Sequence, residues 1–505
     1  MVSFKLKFIL TIVILSTISL VLYLVIGHQF LIYTDSYEYL LIAKNLTQGS
    51  HTLDFYYGHH YFSSSILLSR EGYSMLIGLI SSIFKNSDLI NLATLINLSL
   101  FSFNLSLISY WGIIKSKLNL QKFIIIIIFC IFSYANIFWL KIVISDYLVQ
   151  TILLVTTLYA LGKYKEQKIE VLLIFLMMLV RVELLLVVYI LLIGIKGNKL
   201  VQIIRVSIYA VILQLGTYYV LVQNKLEFLR NSYQLIANST IDPWLLLILL
   251  VILLTIFLTA RKLNYKFSLI HLIYLMFLAY GIVFADIHNL TGTLNNGFFL
   301  ILHDLPLISV AVGLSIFSLY NRKSSRNSLI LLSIFFSSLF VYHFYFQHLV
   351  IFIPLVIIAA IELAKDIPLK LSIKKTTGAL ILLLLISLPL SYMLLAFANY
   401  SITKPDSYSD LFSHPEISDC FNSKTNVSFL LPSLYYEFGK KENIVNWSIN
   451  SQALNLNPNE NYLFAQYNLR TEITNYFAFN KVLLAGTIMI DKSKRYDPIV
   501  YYKCQ

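Results

Sequence analysis

Long apolar runs separated by short polar segments follow one another from the N-terminus to about residue 397. About 20 residues of helix cross the roughly 30 Å hydrocarbon core of a bilayer, so the runs predict about thirteen membrane spans. This count treats residues 170–195 as a hairpin of two short helices, and a single kinked helix with Arg181 inside it is the alternative. The predicted spans are 8–27, 88–114, 123–140, 146–162, 170–180, 184–195, 203–222, 243–260, 267–285, 300–320, 327–346, 347–364 and 377–397.

The lysines and arginines predict how these spans are oriented. Cytoplasmic loops carry an excess of basic residues, and alternate loops here collect most of them, beginning with Lys5 and Lys7 before the first run. The alternation favours the hairpin, because one helix at 170–195 would invert every later loop. We therefore expect an uncleaved first span, a cytoplasmic N-terminus, and residues 28–87 as a long extracytoplasmic loop.

Composition supports the same class of protein. The chain has 505 residues, of which 58% are hydrophobic and only 12% charged, against about 25% charged in soluble domains. The net charge of +13 lies in short clusters between apolar runs, which excludes nucleic acid as the leading partner. Three cysteines without metal-ligand spacing indicate neither a zinc site nor a redox motif. The predicted fold class is an all-α polytopic protein of the cytoplasmic membrane.

A change of composition divides the chain into two predicted domains, a transmembrane domain over residues 1–398 and an extracytoplasmic tail over residues 399–505. The tail is rich in Asn, Ser and Tyr and contains short runs of mixed polarity between turn residues. This pattern is typical of a small α+β or mostly β domain. Cys420 and Cys504 both lie in the tail, and the sequence leaves open whether they form a disulfide.

A polar segment after the first apolar run contains a predicted amphipathic helix at the outer membrane surface. Its apolar residues recur at helical spacing: Tyr39, Ile42, Ala43 and Leu46. Asp35 opens this helix and Glu38 follows three residues later, which is the spacing of a capping box. The alternative interpretation is that Asp35 is a general base for an incoming hydroxyl group.

The order of motifs over the first 200 residues or so resembles that of the GT-C superfamily. An apolar run is followed by D-S-x-x-Y-L-x-x-A-x-N-L from Asp35, a polar stretch, and R-E-G-Y-S-M-L-I-G-L from Arg70. Members of that superfamily are polytopic glycosyltransferases that use polyprenyl-phosphate-linked sugars, among them the protein mannosyltransferases and the aminoarabinose transferases of lipid A. The resemblance implies this fold and this activity for the membrane domain.

The resemblance also implies roles for individual residues. Asp35 corresponds to the essential carboxylate of the family's first outer loop, and Asp146, which follows Ser145, corresponds to a glutamate that opens a later span. Arg181 corresponds to an arginine at the outer end of a short hairpin. The segment 347–354 corresponds to a final outer turn before a span that contains a proline.

The chain also departs from the family pattern. Glu71 and Ser74 replace the prolines of a Pro-Gly-Tyr-Pro stretch, and Asp146 replaces the glutamate. The arginine and tyrosine of the last outer turn are absent, and Gln347 and His348 stand there. These departures affect the expected contacts with the donor phosphate more than the expected fold.

The predicted outer face gathers ionisable residues that could serve this chemistry: Asp35, Glu38, Arg70, Glu71, Asp146, Arg181, His303, Asp304, His343 and His348. Structural roles compete with these functional ones. His303 and Asp304 could be a polar pair between helices, Arg181 could form a surface ion pair with Glu183, and His343 and His348 are interpreted as interfacial anchors more readily than as ligands.

The sequence thus predicts an inverting glycosyltransferase that moves a sugar from a polyprenyl phosphate to an envelope glycan, lipid or protein. Asp35 acts as base with Asp146 assisting, while Arg70 and Arg181 hold the donor phosphate. The remaining substrate-binding candidates are Glu38, Glu71, His303, Asp304 and His348. No cofactor is predicted, and a divalent metal is not required because arginines offset the phosphate charge. The alternatives are a secondary transporter and a non-catalytic envelope protein with a degenerate transferase fold.

Overall fold

The structure is a computed structural model that describes part of the chain. The described residues are 34–47, 71–84, 88–131, 133, 136, 140, 143–164, 166–221, 305–320, 326–341 and 346–365, with five strand segments at 426–429, 444–446, 462–466, 486–489 and 499–503. The predicted spans 8–27, 243–260, 267–285 and 377–397 lie outside these residues.

The described residues include eleven α-helices: α1 Thr34–Thr47, α2 Gly72–Ile83, α3 Leu89–Ser109, α4 Leu120–Ile131, α5 Asp146–Leu161, α6 Gln167–Val180, α7 Leu185–Ile190, α8 Leu200–Leu221, α9 Leu305–Tyr320, α10 Arg326–Val341 and α11 Phe346–Ala364. Two of them continue as π-helix, α3 over Tyr110–Lys115 and α7 over Leu191–Ile195. A 3₁₀ turn at Val182–Leu184 joins α6 to α7.

Two described helical segments are long and apolar enough to cross a membrane, Leu89–Lys115 and Leu200–Thr217. They coincide with the predicted spans 88–114 and 203–222. Helices α5, α10 and α11 are shorter and apolar, and they fall where the spans 146–162, 327–346 and 347–364 were predicted.

The predicted span 123–140 is wrong as a single helix. Helix α4 has 12 residues and ends at Ile131, which is about 18 Å of helix, and Ser133 lies outside any helix. Further along, the Asn136 carbonyl accepts a hydrogen bond from the Tyr147 hydroxyl, and its side-chain oxygen accepts one from Gln150 Nε2 at 3.4 Å. Asn136 is therefore held by side chains of α5. The apolar run at 123–140 does not indicate these contacts, because their partners lie outside it.

The hairpin at residues 170–195 is confirmed. Helix α6 ends at Val180, and Arg181 has extended backbone angles (φ −155°, ψ 91°). The Glu170 carboxylate near the start of α6 accepts a 2.7 Å hydrogen bond from the Asn198 side chain, which follows the returning segment. A single helix over these residues would separate the two groups by about 40 Å. Arg181 therefore lies at the tip of a hairpin.

Helix α11 lies at the centre of the described bundle, in contact with α4, α5, α9 and α10. Every residue from 349 to 361 is buried, as expected for a helix that is apolar around its whole circumference. Pro354 lies inside this helix, where it has no backbone N–H to donate.

The two ends of the bundle differ in their charged residues. Phe101 and Asn104 of α3 face Tyr147 and Gln150 of α5 in that order. His348 and Val350 of α11 likewise face Asp146 and Gln150, so α3, α5 and α11 run in parallel. At their C-terminal end, Lys122 donates to the Ala364 carbonyl and Lys196 to the Gly162 carbonyl. We call this the lysine end, and the end at which α5 and α11 begin the Asp146 end.

Helix α1 packs against α2 and α3 with a face that includes the predicted residues. Among the side chains described in this helix, Ser36, Tyr39, Leu40 and Ala43 are buried, and Ile42 and Leu46 are half-buried. Gly78 of α2 permits the contact, because a Cβ there would lie 3.3 Å from Leu46 Cβ. The predicted helix is confirmed, and its buried face extends beyond the predicted residues to Ser36 and Leu40.

Five short strands in the tail form one mixed sheet in the order β2-β1-β3-β5-β4: β1 Asn426–Phe429, β2 Ile444–Asn446, β3 Tyr462–Gln466, β4 Gly486–Met489 and β5 Ile499–Lys503. Strand β1 pairs in parallel with β2 and β3, while β5 pairs antiparallel with β3 and β4. The domain boundary at residue 399 stays a prediction, and Cys420 and Cys504 lie outside the described residues.

Replacement of Gly112 by alanine should destabilise the lysine end of the bundle. A Cβ at Gly112 would lie 2.7 Å from the fully buried ring of Phe123 and 3.4 Å from Ile361, and overpacking of this kind costs about 1–3 kcal/mol. Thermal unfolding of the detergent-solubilised protein measures the effect. Gly216→Ala is the matched control, because nothing lies within 4 Å of its added Cβ. Equal melting temperatures for the two variants would contradict this packing.

Candidate functional site

The candidate site is built around Asp146, the first residue of α5. Its side chain is 3% exposed and lies 2.8 Å from Arg181, whose Nη2 donates to Oδ1. A negative charge in the first turn of a helix interacts favourably with the helix dipole. The end of α6 and the start of α5, which are separate in the sequence, therefore meet in one buried ion pair.

His348 is the third member of this group. It lies in the first turn of α11, and its Nδ1 is 3.5 Å from Asp146 Oδ2. Its ring faces a buried carboxylate, so His348 makes a polar contact inside the bundle, and its interpretation as an interfacial anchor stays a prediction. Asp146, Arg181 and His348, all predicted as site residues, come together at the Asp146 end of the bundle.

Arg181 does not lie on the surface, as the alternative of a surface ion pair with Glu183 assumed. Its side chain is 6% exposed and pairs with the Asp146 carboxylate, and the Glu183 side chain lies outside the described residues. The reason is local, because α6 ends at Val180 and the extended backbone of Arg181 places this residue at the hairpin tip, against α5. Removal of one member of a buried pair leaves a charge in a poorly solvating environment.

Glu71 approaches the same region from α2. It is 2% exposed, and Gly72 after it packs directly against the end of α6. A Cβ at Gly72 would lie 2.7 Å from Val180 Cγ2 and 3.0 Å from the Leu179 carbonyl. Only glycine permits this approach of the backbone, which brings the Glu71–Gly72 segment to the hairpin tip beside Arg181.

Two buried tyrosines connect α1 and α2 to this group. The Tyr39 hydroxyl lies 3.0 Å from Ser145 Oγ, and the Tyr39 ring meets the Tyr73 ring edge-on at 5.3 Å. Tyr73 donates to Asn97 Oδ1 at 2.8 Å. Burial raises the pKa of Tyr73 well above its ordinary value, so its hydroxyl keeps its proton and acts as a donor.

Sequence reasoning placed Tyr39 only on an apolar face and gave Tyr73 no role. The signal that could have found them is their hydroxyl group, because a buried tyrosine normally needs a hydrogen-bond partner. Gln150 was also missed. It lies one turn below Asp146 and bonds to both α3 and α11, which holds Asp146 opposite His348.

The other predicted site residues are described in part or not at all. Asp35 lies in the first turn of α1, which begins one residue earlier at Thr34, and Glu38 lies one turn further along. The structure describes the backbone of both residues and not their side chains. Arg70, His303, Asp304 and His343 lie outside the described residues.

The group formed by Asp146, Arg181 and His348 is suited to anions and to proton transfer. An arginine offers several donors in a fixed plane for carboxylate or phosphate oxygens, and a histidine changes its charge near neutral pH. Among the residues that the structure describes, no three His, Cys, Asp or Glu side chains are arranged to hold a metal ion.

Comparison of the chain with protein-family models, with curated proteins and with solved structures finds no match.

Loss of either member of the Asp146–Arg181 pair should destabilise the protein strongly. Asp146→Ala and Arg181→Ala are each expected to lower the free energy of unfolding by about 3–5 kcal/mol, because each leaves a buried charge without its partner. The double variant should cost less than the sum of the two single variants. Thermal unfolding in detergent measures this cycle.

The control for this cycle is Lys365→Ala. Lys365 pairs with Glu362 at 2.7 Å, but its side chain is 35% exposed, and solvent-exposed pairs contribute about 0–1 kcal/mol. Strictly additive losses for Asp146→Ala and Arg181→Ala would show that the two side chains do not interact in the folded protein.

Proposed function

We propose that the chain is a multi-pass membrane glycosyltransferase that moves a sugar from a polyprenyl-phosphate-linked donor to an envelope glycan, lipid or protein acceptor. The observation that carries this proposal is the buried Asp146–Arg181 ion pair with His348 beside it, at one end of an apolar helical bundle. The motif resemblance that begins at Asp35 supplies the reaction class.

The membrane setting is supported by composition and by the two segments long enough to cross a bilayer. The distribution of lysines supports the orientation. Lys122, Lys196 and Lys365 lie at the end of the bundle opposite Asp146, and basic residues favour the cytoplasmic side. The Asp146 end then faces the outside, where envelope acceptors are found.

The proposed chemistry needs a cation at the level of the lipid headgroups. A polyprenyl-phosphate donor keeps its tail in the bilayer and its anionic head at the surface. Arg181, oriented by Asp146, together with Arg70 offsets the charge of the departing phosphate. These arginines supply the positive charge, so the reaction as proposed requires no divalent metal.

The acceptor needs a base on the opposite side of the sugar. Asp35 lies one helical turn, or about 6 Å along the axis, before Tyr39, and Tyr39 touches the residue that precedes Asp146. Asp35 removes the proton of the acceptor hydroxyl, whose oxygen bonds to the anomeric carbon. The bond from that carbon to the phosphate oxygen breaks, and the configuration inverts.

A secondary transporter is the second candidate, and one observation favours it. Transporters bind their substrates in the middle of the membrane between broken helices. Here α4 ends after 12 residues, and a buried polar network of Asn104, Asn136 and Gln150 lies below Asp146. In that case the solute would bind at this network, and Asp35 would have no chemical role.

Substitution of Asp35 by asparagine should abolish sugar transfer. The amide keeps the size of the side chain but is too weak a base to accept the hydroxyl proton. Mass spectrometry of envelope glycans in a deletion strain, complemented with wild-type or variant full-length chain, should detect a sugar addition that is present with the wild type and absent with Asp35→Asn.

Asp88→Asn is the matched control for this experiment. Asp88 caps α3 at the Asp146 end by accepting from the Ile90 N–H at 3.1 Å, and asparagine caps a helix equally well. This variant should restore the sugar addition at equal protein level. An unchanged glycan profile in the deletion strain would argue for the transporter, and retained transfer by Asp35→Asn would remove Asp35 from the mechanism.

A further inference from the structure

The described residues contain two hydroxyl pairs of the same chemistry and the same length. Tyr39 lies 3.0 Å from Ser145, and Tyr189 lies 3.0 Å from Ser207. The first pair joins α1 to the residue that precedes α5, and the second joins α7 to α8. They differ in burial, since the first contact is buried and the second is only partly so.

The Tyr39–Ser145 contact is held from several sides. Tyr39 is 6% exposed and Ser145 is fully buried, so water does not replace the bond. The Tyr39 ring stands at 88° to the ring of Tyr73, and Tyr73 is fixed in turn by hydrogen bonds to α3, at Asn97 Oδ1 and the Ala93 carbonyl. Loss of this bond would leave a buried hydroxyl without the compensation that water gives at the surface.

The position of this contact in the chain gives it a consequence for the candidate site. Tyr39 lies one helical turn after Asp35, and Ser145 comes immediately before Asp146. The contact therefore links α1, one turn after Asp35, directly to the start of α5.

We propose that Tyr39 is a positioning residue, whose hydrogen bond to Ser145 holds Asp35 at its working distance from the Asp146–Arg181 pair. This inference rests on the proposed function, because it assigns the contact a role in transfer. Positioning of a base matters steeply, since a displacement of about 1 Å can reduce a rate about 100-fold.

The kinetic test compares the two hydroxyl pairs. Transfer is followed in membranes that contain the full chain, with radiolabelled undecaprenyl-phosphate mannose and undecaprenyl-phosphate aminoarabinose as probes. Tyr39→Phe and Ser145→Ala should each lower kcat by about tenfold or more with little change in KM. The double variant should be no slower than either single one, because all three lose the same bond.

The controls are Tyr189→Phe and Ser207→Ala, which remove an equivalent pair between α7 and α8 and should retain kcat within about twofold. Ser145→Thr keeps the hydroxyl group and should restore most of the rate. Equal effects of the Tyr39 and Tyr189 variants would overturn the proposal, as would a loss of rate in Tyr39→Phe that appears only in KM.

A second measurement does not depend on transfer. Spin labels introduced through an unnatural amino acid at Thr47 and Lys163, both exposed, report the distance between α1 and the end of α5. Tyr39→Phe should broaden this distance distribution, and Tyr189→Phe should leave it unchanged. An unchanged distribution in Tyr39→Phe overturns the positioning role whatever the kinetics. Absence of transfer in the wild type with both probes counts against the proposed function, while the spin labels still decide whether Tyr39 holds α1.

Discussion

The ion pair between Asp146 and Arg181 is the interaction on which the described bundle depends. Two charges with almost no access to water must be held close together, since either one alone would be costly. The pair forms only if α6 ends at Val180 and the chain reverses at Arg181. That reversal is secured at the other end of the hairpin, where Glu170 accepts from Asn198 at 2.7 Å and Lys196 donates to the carbonyls that end α5.

The same constraint explains why chemistry-bearing groups gather at one end. The hairpin tip brings Arg181 to the start of α5, Gly72 lets Glu71 approach that tip, and α11 contributes His348. Below them, Gln150 of α5 accepts a hydrogen bond from the Asn104 side chain of α3 and donates one to the Val350 carbonyl of α11, which links the three parallel helices. The charged groups of this bundle thus lie at the ends of apolar helices, where an ionisable residue costs less than in the middle of an apolar run.

Much of this arrangement could be predicted from the sequence, and the failures have a common origin. Alternating basic loops favoured the hairpin, and the motif pattern selected Asp146 and Arg181. His348 was weighed as an interfacial anchor and as a substrate-binding residue, and nothing near it in the chain indicates that its ring meets the Asp146 carboxylate. Tyr39 was assigned to an apolar face, since periodicity registers its ring and not its hydroxyl. The span 123–140 failed because apolar length alone does not show where a helix ends.

What the sequence determined by itself is local: where apolar helices occur, which loops carry lysines, and where a polar residue interrupts an apolar run. These properties depend on neighbours within one or two helical turns, so they can be predicted from the sequence. Only the tertiary structure decided which polar residue within an apolar run contacts the end of which other helix. Arg181 and Asp146 are 35 positions apart, and Tyr39 and Ser145 are 106. Such pairs form because buried polar groups need hydrogen-bond partners within the protein, and the packing of whole helices decides which groups come within reach.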